Sequence, residues 1–183
     1  MKDEVKVIWN RIFLDQVDST NEYIKREVNN LPNFTVVVAS HQTDGRGQFD
    51  RKWLSNPNEN LLCSILLRKT SQLVVDQLNS ILIKTLMNTL QQFGIVSSFK
   101  SPNDIYVHDK KIAGILIERT FENKNLLYTI VGIGLNVNQV YFQIPNATSM
   151  HSEAGMMFQV KSILEALLIH FEDQLRLFAN NAI

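Results

Sequence analysis

Apolar residues recur along the chain with two different spacings, and each spacing predicts a different kind of element. Short apolar runs bounded by turn residues are typical of β-strands, whereas apolar residues that return every three or four positions are typical of helices. The runs predict strands at residues 5–14, 34–39, 61–68, 96–100, 105–107, 112–117 and 126–137. The helical spacing predicts one long helix between Ser71 and Gly94 and a second at residues 157–178.

A third, shorter helix is expected to begin at Ser19 or Thr20 and to end before Pro32. Ser19 is followed by Glu22 at the spacing of a capping box, in which each side chain bonds a backbone N–H of the first helical turn. Ser71 is expected to cap the first long helix in a similar way, because a serine just before a periodic apolar segment commonly marks a helix start.

The strands dominate the pattern and favour one fold class. Turns at residues 108–111 and 121–125 are expected to join neighbouring strands as hairpins, and residues 141–155 are expected to be irregular. Gly132 and Gly134 lie inside the last predicted strand, where glycine often marks a bulge or the close approach of a ligand or of backbone. The sequence therefore predicts an α+β fold with a mixed sheet rather than a doubly wound parallel one.

Composition and charge narrow the possible functions. The chain has 183 residues, of which 45% are hydrophobic and 20% charged, and its formal net charge is zero. These values are typical of a globular protein with a real core, and we expect one domain over residues 1–183. Without a basic excess, binding to nucleic acid is not expected. The N-terminus does not read as a signal peptide and no segment reads as a membrane span, so a cytoplasmic location is expected.

Side chains that commonly bind metals or attack substrates are sparse. The four histidines have no ligand spacing to one another or to the single cysteine, so no metal site is expected. Cys63 lies in an apolar run and is expected to be a buried, inert thiol. No G-x-S-x-G nucleophile elbow occurs.

The most distinctive polar segment is the loop that follows the strand at residues 34–39. Between Val38 and Trp53 it contains two glycines, two arginines and a lysine, a composition that suits an anionic ligand at a strand end. It matches neither the Walker A loop nor the dinucleotide fingerprint, because Asp50 stands where the third glycine would be. By composition alone, a surface turn with solvated arginines is the favoured interpretation.

Two further segments are ambiguous when each is considered alone. Lys100 precedes Ser-Pro-Asn-Asp104, a turn that would fix the lysine at its strand end, although an ordinary strand-end lysine is the simpler interpretation. Thr20 and Asn21 open the first predicted helix, where they could cap the helix or bind a small neutral polar ligand.

Taken together and in order, these segments resemble the catalytic domain of biotin protein ligases over residues 8–148. The series comprises VDSTN at residues 17–21, QTDGRGQ at 42–48, RKW at 51–53, Asn60-Leu61 with Ser64, KSPNDI at 100–105, KIAGILIE at 111–118 and GIGLN at 132–136. Any one motif could arise by chance, but the ordered series at family-like intervals is specific.

The resemblance implies a fold and a two-step reaction. The family has a mixed, largely antiparallel β-sheet flanked by helices, related to lipoate ligases and more distantly to class II aminoacyl-tRNA synthetases. Its members convert biotin and ATP, with Mg²⁺, into biotinyl-AMP and pyrophosphate. They then transfer biotin to one lysine of a biotin carboxyl carrier protein or carboxylase subunit. No tightly bound prosthetic group and no membrane partner are implied, and a homodimer is a further hypothesis.

The resemblance also implies roles for particular residues. Those implied to contact biotin are Ser19, Thr20, Asn21, Gln42, Arg46, Gly47, Gln48 and Lys100. Those implied to contact the nucleotide are Arg46, Gln48, Trp53, Lys111 and Asn136. Lys100, as the central lysine, and Arg46 are implied to be catalytic, because a carboxylate that attacks a phosphate needs nearby cations. The loop that carries Arg46, Gly47 and Gln48 is implied to close over the adenylate and protect it from water.

Three positions depart from the family's usual pattern. Gln48 replaces a second arginine, Asp50 replaces a glycine, and Ser101 replaces a tryptophan beside Lys100. The C-terminal β-barrel of many members and the N-terminal DNA-binding domain of those that act as repressors are both expected to be absent. Two alternatives stay open: a lipoate or octanoate ligase, which would need a long apolar tunnel, and a regulatory protein that holds biotin without transferring it.

Overall fold

The computed structural model of the protein describes residues 7–49, 51–68 and 71–180. Within them the chain forms seven strands and four α-helices. The strands are β1 (Asn10–Val17), β2 (Thr35–Gln42), β3 (Asn60–Arg68), β4 (Ser98–Lys100), β5 (Asp104–Val107), β6 (Lys110–Glu122) and β7 (Asn125–Asn136). The helices are α1 (Thr20–Glu27), α2 (Gln72–Gln92), α3 (Met150–Ala154) and α4 (Val160–Asn180), and a 3-10 turn (Val28–Asn30) follows α1.

The described strands form one sheet in the order β1-β2-β3-β7-β6-β5-β4. β1 and β2 are parallel and are joined by α1, as a parallel pair requires a crossover connection. Every other neighbouring pair in this sheet is antiparallel. The predicted α+β class, with a mixed and largely antiparallel sheet, is therefore confirmed.

The two faces of the sheet are covered differently. On one face, alternate residues of the central strands pack under α2 and α4 and form the main core. On the other face, α1 contacts β2, β3 and β7, and its Ile24 packs against Val37, Leu66 and Ile130. β3 is buried at its first eight positions, as expected for a strand with both faces covered. Beyond α1, toward β6, the second face is open, and the candidate site lies there.

The first strand differs from its predicted range of 5–14. β1 spans Asn10–Val17, because its parallel register with β2 runs from Asn10 opposite Thr35 to Val17 opposite Gln42. Predicted members Val5 and Lys6 lie outside the described residues. The apolar residues that suggested an earlier start do not all enter the core, since Ile8 is 85% exposed.

The hairpin between β6 and β7 is longer and tighter than predicted. The turn expected at residues 121–125 contains only Asn123 and Lys124, since Glu122 pairs with Asn125 in the sheet. Both turn residues have positive φ, which asparagine tolerates better than most residues. The local polar composition had masked the continuing strand.

The helix starts were predicted well, but their capping was not uniform. Ser71 caps α2 as predicted, because its side chain accepts from the backbone N–H of Val74. Ser19 does occupy the N-cap position of α1, but its side chain makes no capping bond, so the predicted capping box is wrong. The segment at residues 141–155, expected to be irregular, contains α3.

Candidate functional site

A cavity of about 540 Å³ opens on the face of the sheet beyond α1, within the usual size range of small-molecule sites. It is enclosed by the start of α1, the loop after β2 and the strands β6 and β7. The predicted site residues in its lining are Ser19, Thr20, Asn21, Gln42, Arg46, Gly47, Gln48, Trp53 and Lys111. A second cavity of about 240 Å³ adjoins it at Trp53 and Lys111 and includes the predicted residue Asn136.

Three side chains, Thr20, Asn21 and Gln42, form a polar wall at one end of the larger cavity, and the buried Ser64 bonds two of them. The backbone N–H of Thr20 donates to Gln42 Oε1 at 2.8 Å. Ser64 Oγ lies 2.6 Å from Thr20 Oγ1 and also bonds Asn21 Oδ1. Thr20, Asn21 and Ser64 are at most 3% exposed. Because each is buried and bonded, the wall presents its remaining donors and acceptors in fixed directions.

Three strand glycines, Gly114, Gly132 and Gly134, form the floor of the cavity and leave room for neighbouring side chains. Gly114 and Gly134 are paired across β6 and β7, and the Trp53 ring lies over both. A Cβ at Gly134 would stand 2.4 Å from Trp53 Cε2, and one at Gly132 would stand 2.6 Å from Asn21 Oδ1. The strand glycines therefore admit the side chains of Trp53 and Asn21, whereas the sequence had suggested a bulge or the close approach of a ligand or of backbone.

Lys111 places a cation where the two cavities meet. Its Nζ lies 2.7 Å from Asp104 Oδ1 and 5.4 Å from the centroid of the Trp53 ring. Its backbone N–H donates to the carbonyl of Asn146 at 2.8 Å, and its carbonyl accepts from the N–H of Thr148 at 2.9 Å. Since the Lys111 side chain is only 27% exposed, its charge is screened less than that of a surface lysine.

Lys100 does not occupy the central position that the sequence suggested. It ends β4, the edge strand of the sheet, whose three residues are all exposed. Its Nζ contacts the ring of Tyr106 at 4.7 Å, and Lys100 itself lines neither cavity. Ser101 beside it is also exposed and forms no part of either wall. The predicted central placement of Lys100 is therefore wrong, and Lys111 holds that place.

The loop between β2 and β3 folds back on itself at the cavity mouth. Trp53 N donates to Gly45 O at 2.9 Å, and Gly47 N donates to Arg51 O at 2.7 Å. Gly45 has no room for a side chain, because a Cβ there would stand 2.6 Å from the carbonyl oxygen of Trp53. Asp50, one of the predicted departures, lies outside the described residues. These bonds hold the Trp53 ring against Gly114 and Gly134.

Arg46 connects this loop to α1. Its guanidinium forms an ion pair with Glu22, which also bonds Lys25. Hydrogen bonding from Lys25, opposed by partial burial and supported by Arg46, lowers the pKa of Glu22. Gln48, two residues further on, lines the same cavity. The loop cations thus stand over the cavity, and at least one of them is already engaged with a carboxylate.

Asn136 has a structural bond as well as a cavity position. It is 4% exposed, and its Nδ2 donates to the carbonyl of Thr148 at 2.9 Å. This bond ties the end of β7 to the segment whose Thr148 N–H bonds Lys111. Contact between Asn136 and a nucleotide stays a prediction.

Sequence patterns did not single out two acidic residues that support the site. Asp104 pairs with Lys111, and Glu118 bonds both Asn21 and Lys25. A signal for Glu118 existed, because it ends the apolar run of β6 and carboxylates seldom sit on half-buried strands without a partner. Neither partner could be named without the register of the sheet.

The predicted character of Cys63 is confirmed. Its thiol is fully buried, and burial raises the pKa of Cys63 to about 12. Although Cys63 contributes to the cavity wall, its thiolate is scarce at neutral pH, and the thiolate is the nucleophilic form.

The ion pair beside the polar wall predicts a small acid-labile contribution to stability. Hydrogen bonds from Arg26 lower the pKa of Asp18 from its ordinary 3.8 to about 2. A carboxyl group whose pKa is lower in the folded than in the unfolded protein stabilises the fold at pH values above its unfolded-state pKa. This stabilisation is lost as the pH falls through the folded-state pKa. The unfolding free energy of the wild type should therefore exceed that of Asp18→Asn at pH 6, by less than about 1 kcal/mol because the pair is half exposed.

Urea unfolding of both proteins from pH 6 to pH 2 measures this effect. The difference should shrink between about pH 4 and pH 2. In an Arg26→Gln background, Asp18→Asn should no longer change the unfolding free energy in a pH-dependent way. A difference between the wild type and Asp18→Asn that stays constant down to pH 2 would contradict the assignment of the pKa shift to Arg26.

A model of the biotin/lipoate A/B protein ligase family matches residues 13–136, which include the polar wall, the loop, Lys111 and the glycine floor. The chain belongs to this family. The resemblance inferred from the ordered motifs is thus confirmed.

Individual members of the family cover most of the chain. The bifunctional ligase/repressor BirA of Bacillus subtilis is 31% identical over 186 residues, which cover 94% of this chain and 56% of that protein. The biotin–[acetyl-CoA-carboxylase] ligase of Paracoccus denitrificans is 30% identical over 131 residues, which cover 68% of this chain and 53% of that protein. The chain thus spans about half the length of these curated relatives.

A solved ligase of the same family has the same fold. The biotin protein ligase of Aquifex aeolicus, in complex with biotin and ATP, aligns with a TM-score of 0.80 and 34% sequence identity. The alignment covers 93% of this chain and 72% of that one. Among the described residues of the present chain, none of the helices has a stretch long and apolar enough to span a membrane.

Proposed function

We propose that the chain is the catalytic part of a biotin–protein ligase. It would activate biotin with ATP to form biotinyl-AMP and then transfer the biotinyl group to a lysine of a biotin carboxyl carrier domain. The observation that carries the proposal is one cavity with two chemically different ends. A neutral polar wall at Thr20, Asn21 and Gln42 faces a cationic junction at Lys111, which suits a ligand with a neutral polar head and a reacting carboxylate.

The polar wall suits the ureido ring of biotin. That ring has a carbonyl acceptor flanked by N–H donors, and hydroxyl and amide groups can bond both kinds. A site built from such groups strongly rejects analogues that lack the matching atoms, because its own buried groups would be left unpaired. Apolar residues in the same lining, including Ile115, Leu116 and Ile133, suit the rest of the ring system and the alkyl chain.

The cationic end suits adenylate formation. The biotin carboxylate attacks the α-phosphate of ATP, a new phosphorus–oxygen bond forms, and pyrophosphate leaves. Two anions must approach, and preorganised cations are the usual way to stabilise the charge that develops. Lys111, held by Asp104, would meet the α-phosphate, while Arg46 and Arg51 in the same lining would meet the other phosphate oxygens.

Magnesium would enter with the nucleotide. Among the residues that the structure describes, no group of three or more His, Cys, Asp or Glu side chains could hold a metal ion. Mg²⁺ commonly keeps several waters and binds substrate phosphates with few protein ligands. We therefore assign it to the ATP phosphates rather than to a resident protein site.

In the second step the amine of the acceptor lysine attacks the acyl carbon, and AMP leaves. No enzyme nucleophile is needed, which fits the protonated thiol of Cys63. The name of the Paracoccus relative supports the biotin carrier of acetyl-CoA carboxylase as the acceptor. The loop that bears Arg46 would cover the adenylate between the two steps and keep water from it.

The proposal is tested by incubating the protein with ATP, Mg²⁺, labelled biotin and a biotin carboxyl carrier domain. Transfer of label to the carrier, with release of AMP and pyrophosphate, is the expected result. Labelling by lipoate or octanoate but not by biotin would assign the chain to the other branch of its family. Binding of biotin without pyrophosphate release would indicate a regulatory protein.

Removing the loop cation is expected to shorten the lifetime of the intermediate. Arg46→Ala should speed the loss of bound biotinyl-AMP by about tenfold, because one charge-assisted contact to the phosphate is gone. Retention is measured by single-turnover quenching in the absence of acceptor.

Glu22→Gln is the matched variant for this experiment. It removes the charge that pairs with Arg46 in the ligand-free protein but keeps the arginine itself. Glu22→Gln should therefore not speed the loss, and equal loss in both variants would contradict a direct role for Arg46.

A further inference from the structure

Glu118 stands behind the polar wall, and both of its carboxylate oxygens are engaged by α1. Oε2 accepts from Asn21 Nδ2 at 2.7 Å, and Oε1 accepts from Lys25 Nζ at 2.8 Å. Lys25 also bonds Glu22 at 2.8 Å. The Glu118 side chain is 29% exposed. A half-buried carboxylate is thus tied to one residue that lines the cavity and to one ammonium that does not.

The carboxylate determines how the Asn21 amide is turned. A carboxylate accepts hydrogen bonds and donates none, so Asn21 must present its NH₂ group to Glu118. Its Oδ1 then faces Ser64 and the glycine floor at Gly132. The opposite orientation would place two oxygens against each other and leave the amide N–H groups without this acceptor.

The orientation of the Asn21 amide also determines the direction of the hydrogen bonds made by Ser64 and Thr20. Ser64 has one hydroxyl proton and two close neighbours, Asn21 Oδ1 and Thr20 Oγ1. The Asn21 oxygen can only accept, so the Ser64 proton goes to it, and the proton in the contact with Thr20 comes from Thr20. Thr20 Oγ1 also lies 3.0 Å from Gln42 Oε1, but this is the longer of its two contacts, and that oxygen already accepts from the backbone N–H of Thr20. Gln42 Oε1 is fixed separately by the backbone N–H of Thr20, which leaves its Nε2 as a donor.

We propose that Glu118 is a positioning residue that sets the donor and acceptor pattern of the biotin-binding wall by fixing the Asn21 amide. This inference rests on the proposed function. With Glu118 charged, the wall has one polarity: Gln42 offers a donor, whereas Asn21 offers an acceptor oxygen that the buried Ser64 helps to hold. The ureido ring has the complementary set, a carbonyl oxygen beside N–H groups. Glu118 thereby contributes to ligand selectivity without contacting the ligand.

The simpler role for Glu118 is to anchor α1 to the sheet through its ion pair with Lys25. The two roles differ in what they change. Loss of an anchor lowers the free energy of unfolding but leaves ligand preference alone. Loss of amide orientation lets Asn21 turn over and offer an NH₂ group, so a ligand that carries an oxygen acceptor in place of a ureido N–H is rejected less strongly.

Glu118→Gln tests the proposal, since glutamine has nearly the same shape but can present either an oxygen or an NH₂ group to Asn21. Dissociation constants for biotin and for its cyclic carbamate analogue, in which an oxygen replaces one ureido N–H, are measured by calorimetry without ATP. Biotin affinity should fall by about tenfold, and the preference for biotin over the carbamate analogue should fall by a similar factor. The KM for ATP should not change.

Three further variants separate positioning from anchoring. Glu122→Gln makes the same change on the same strand at an exposed site and should alter neither constant. Lys25→Met breaks the anchor but keeps the bond between Glu118 and Asn21, so it should lower stability without changing the preference. Asn21→Ala should lower the preference as Glu118→Gln does, and the double variant should lose little more, because Glu118 acts through Asn21.

Each outcome decides a separate point. A wild type that binds biotin while Glu118→Gln keeps the full preference would overturn the inference and leave the proposed function intact. A wild type that binds no biotin would overturn the proposed function and this inference with it. If Glu118→Gln fails to fold, Asn21→Ala decides alone, and an unchanged preference in that variant would overturn the inference.

Discussion

Lys111→Met is expected to lower the rate of biotinyl-AMP formation by about 100-fold or more, the scale seen when a preorganised electrostatic contact to a transition state is removed. Methionine keeps an unbranched side chain that can still lie beside Trp53, so the cavity wall should survive. What is lost is the ammonium that Asp104 holds where the two cavities meet. Biotin binding without ATP should change little, because the polar wall is untouched.

Exchange of labelled pyrophosphate into ATP, which depends on biotin, measures this step directly. Lys100→Met is the matched control, because it makes the same substitution at an exposed residue of the edge strand. It should alter the exchange rate by less than about threefold, as expected for a screened surface charge. If Lys100→Met stopped the exchange and Lys111→Met did not, the assignment of the central cation to Lys111 would be wrong.

The two lysines show where sequence reasoning reaches its limit in this chain. Both stand in motifs of the family, and both lie where a predicted strand meets a turn, so local pattern cannot rank them. Their places are set by the register of three strands, in which Lys100 pairs with Asp104 on the outer hairpin while Lys111 pairs with Tyr106 one strand further in. Register depends on contacts across the sheet, which no local window contains.

The polar wall shows the same limit in another form. A helix start at Thr20 follows from local chemistry, and the sequence predicted it. The partners that orient Asn21 come from far along the chain, since Ser64 is 43 residues away and Glu118 is 97 residues away. The sequence could thus predict which residues belong to the wall but not which way their hydrogen bonds run. The order of strands and helices, by contrast, follows from periodicity alone and was predicted nearly in full.

Adding one methyl group at Gly134 is expected to have the second-largest effect. A Cβ there would stand 2.4 Å from Trp53 Cε2 and 2.7 Å from Cζ2, so the ring must leave its seat. Trp53 forms part of the wall of both cavities, and its displacement also removes the surface beside Lys111. Gly134→Ala should raise the KM for ATP by about tenfold or more, with an unfolding free energy lower by about 1–3 kcal/mol, the usual cost of overpacking.

A graded series identifies the clash with Trp53 as the cause of this loss. Gly114→Ala meets the same ring at 3.0 Å and Lys111 Cε at 3.3 Å, so a small shift accommodates it and the KM for ATP should rise less. In the background of Trp53→Ala, the added methyl group meets no ring, and Gly134→Ala should have almost no further effect on the KM. Steady-state kinetics and urea unfolding of the three single variants and the double variant measure both quantities. Fully additive losses in the double variant would show that the glycine acts through the strand backbone and not by seating Trp53.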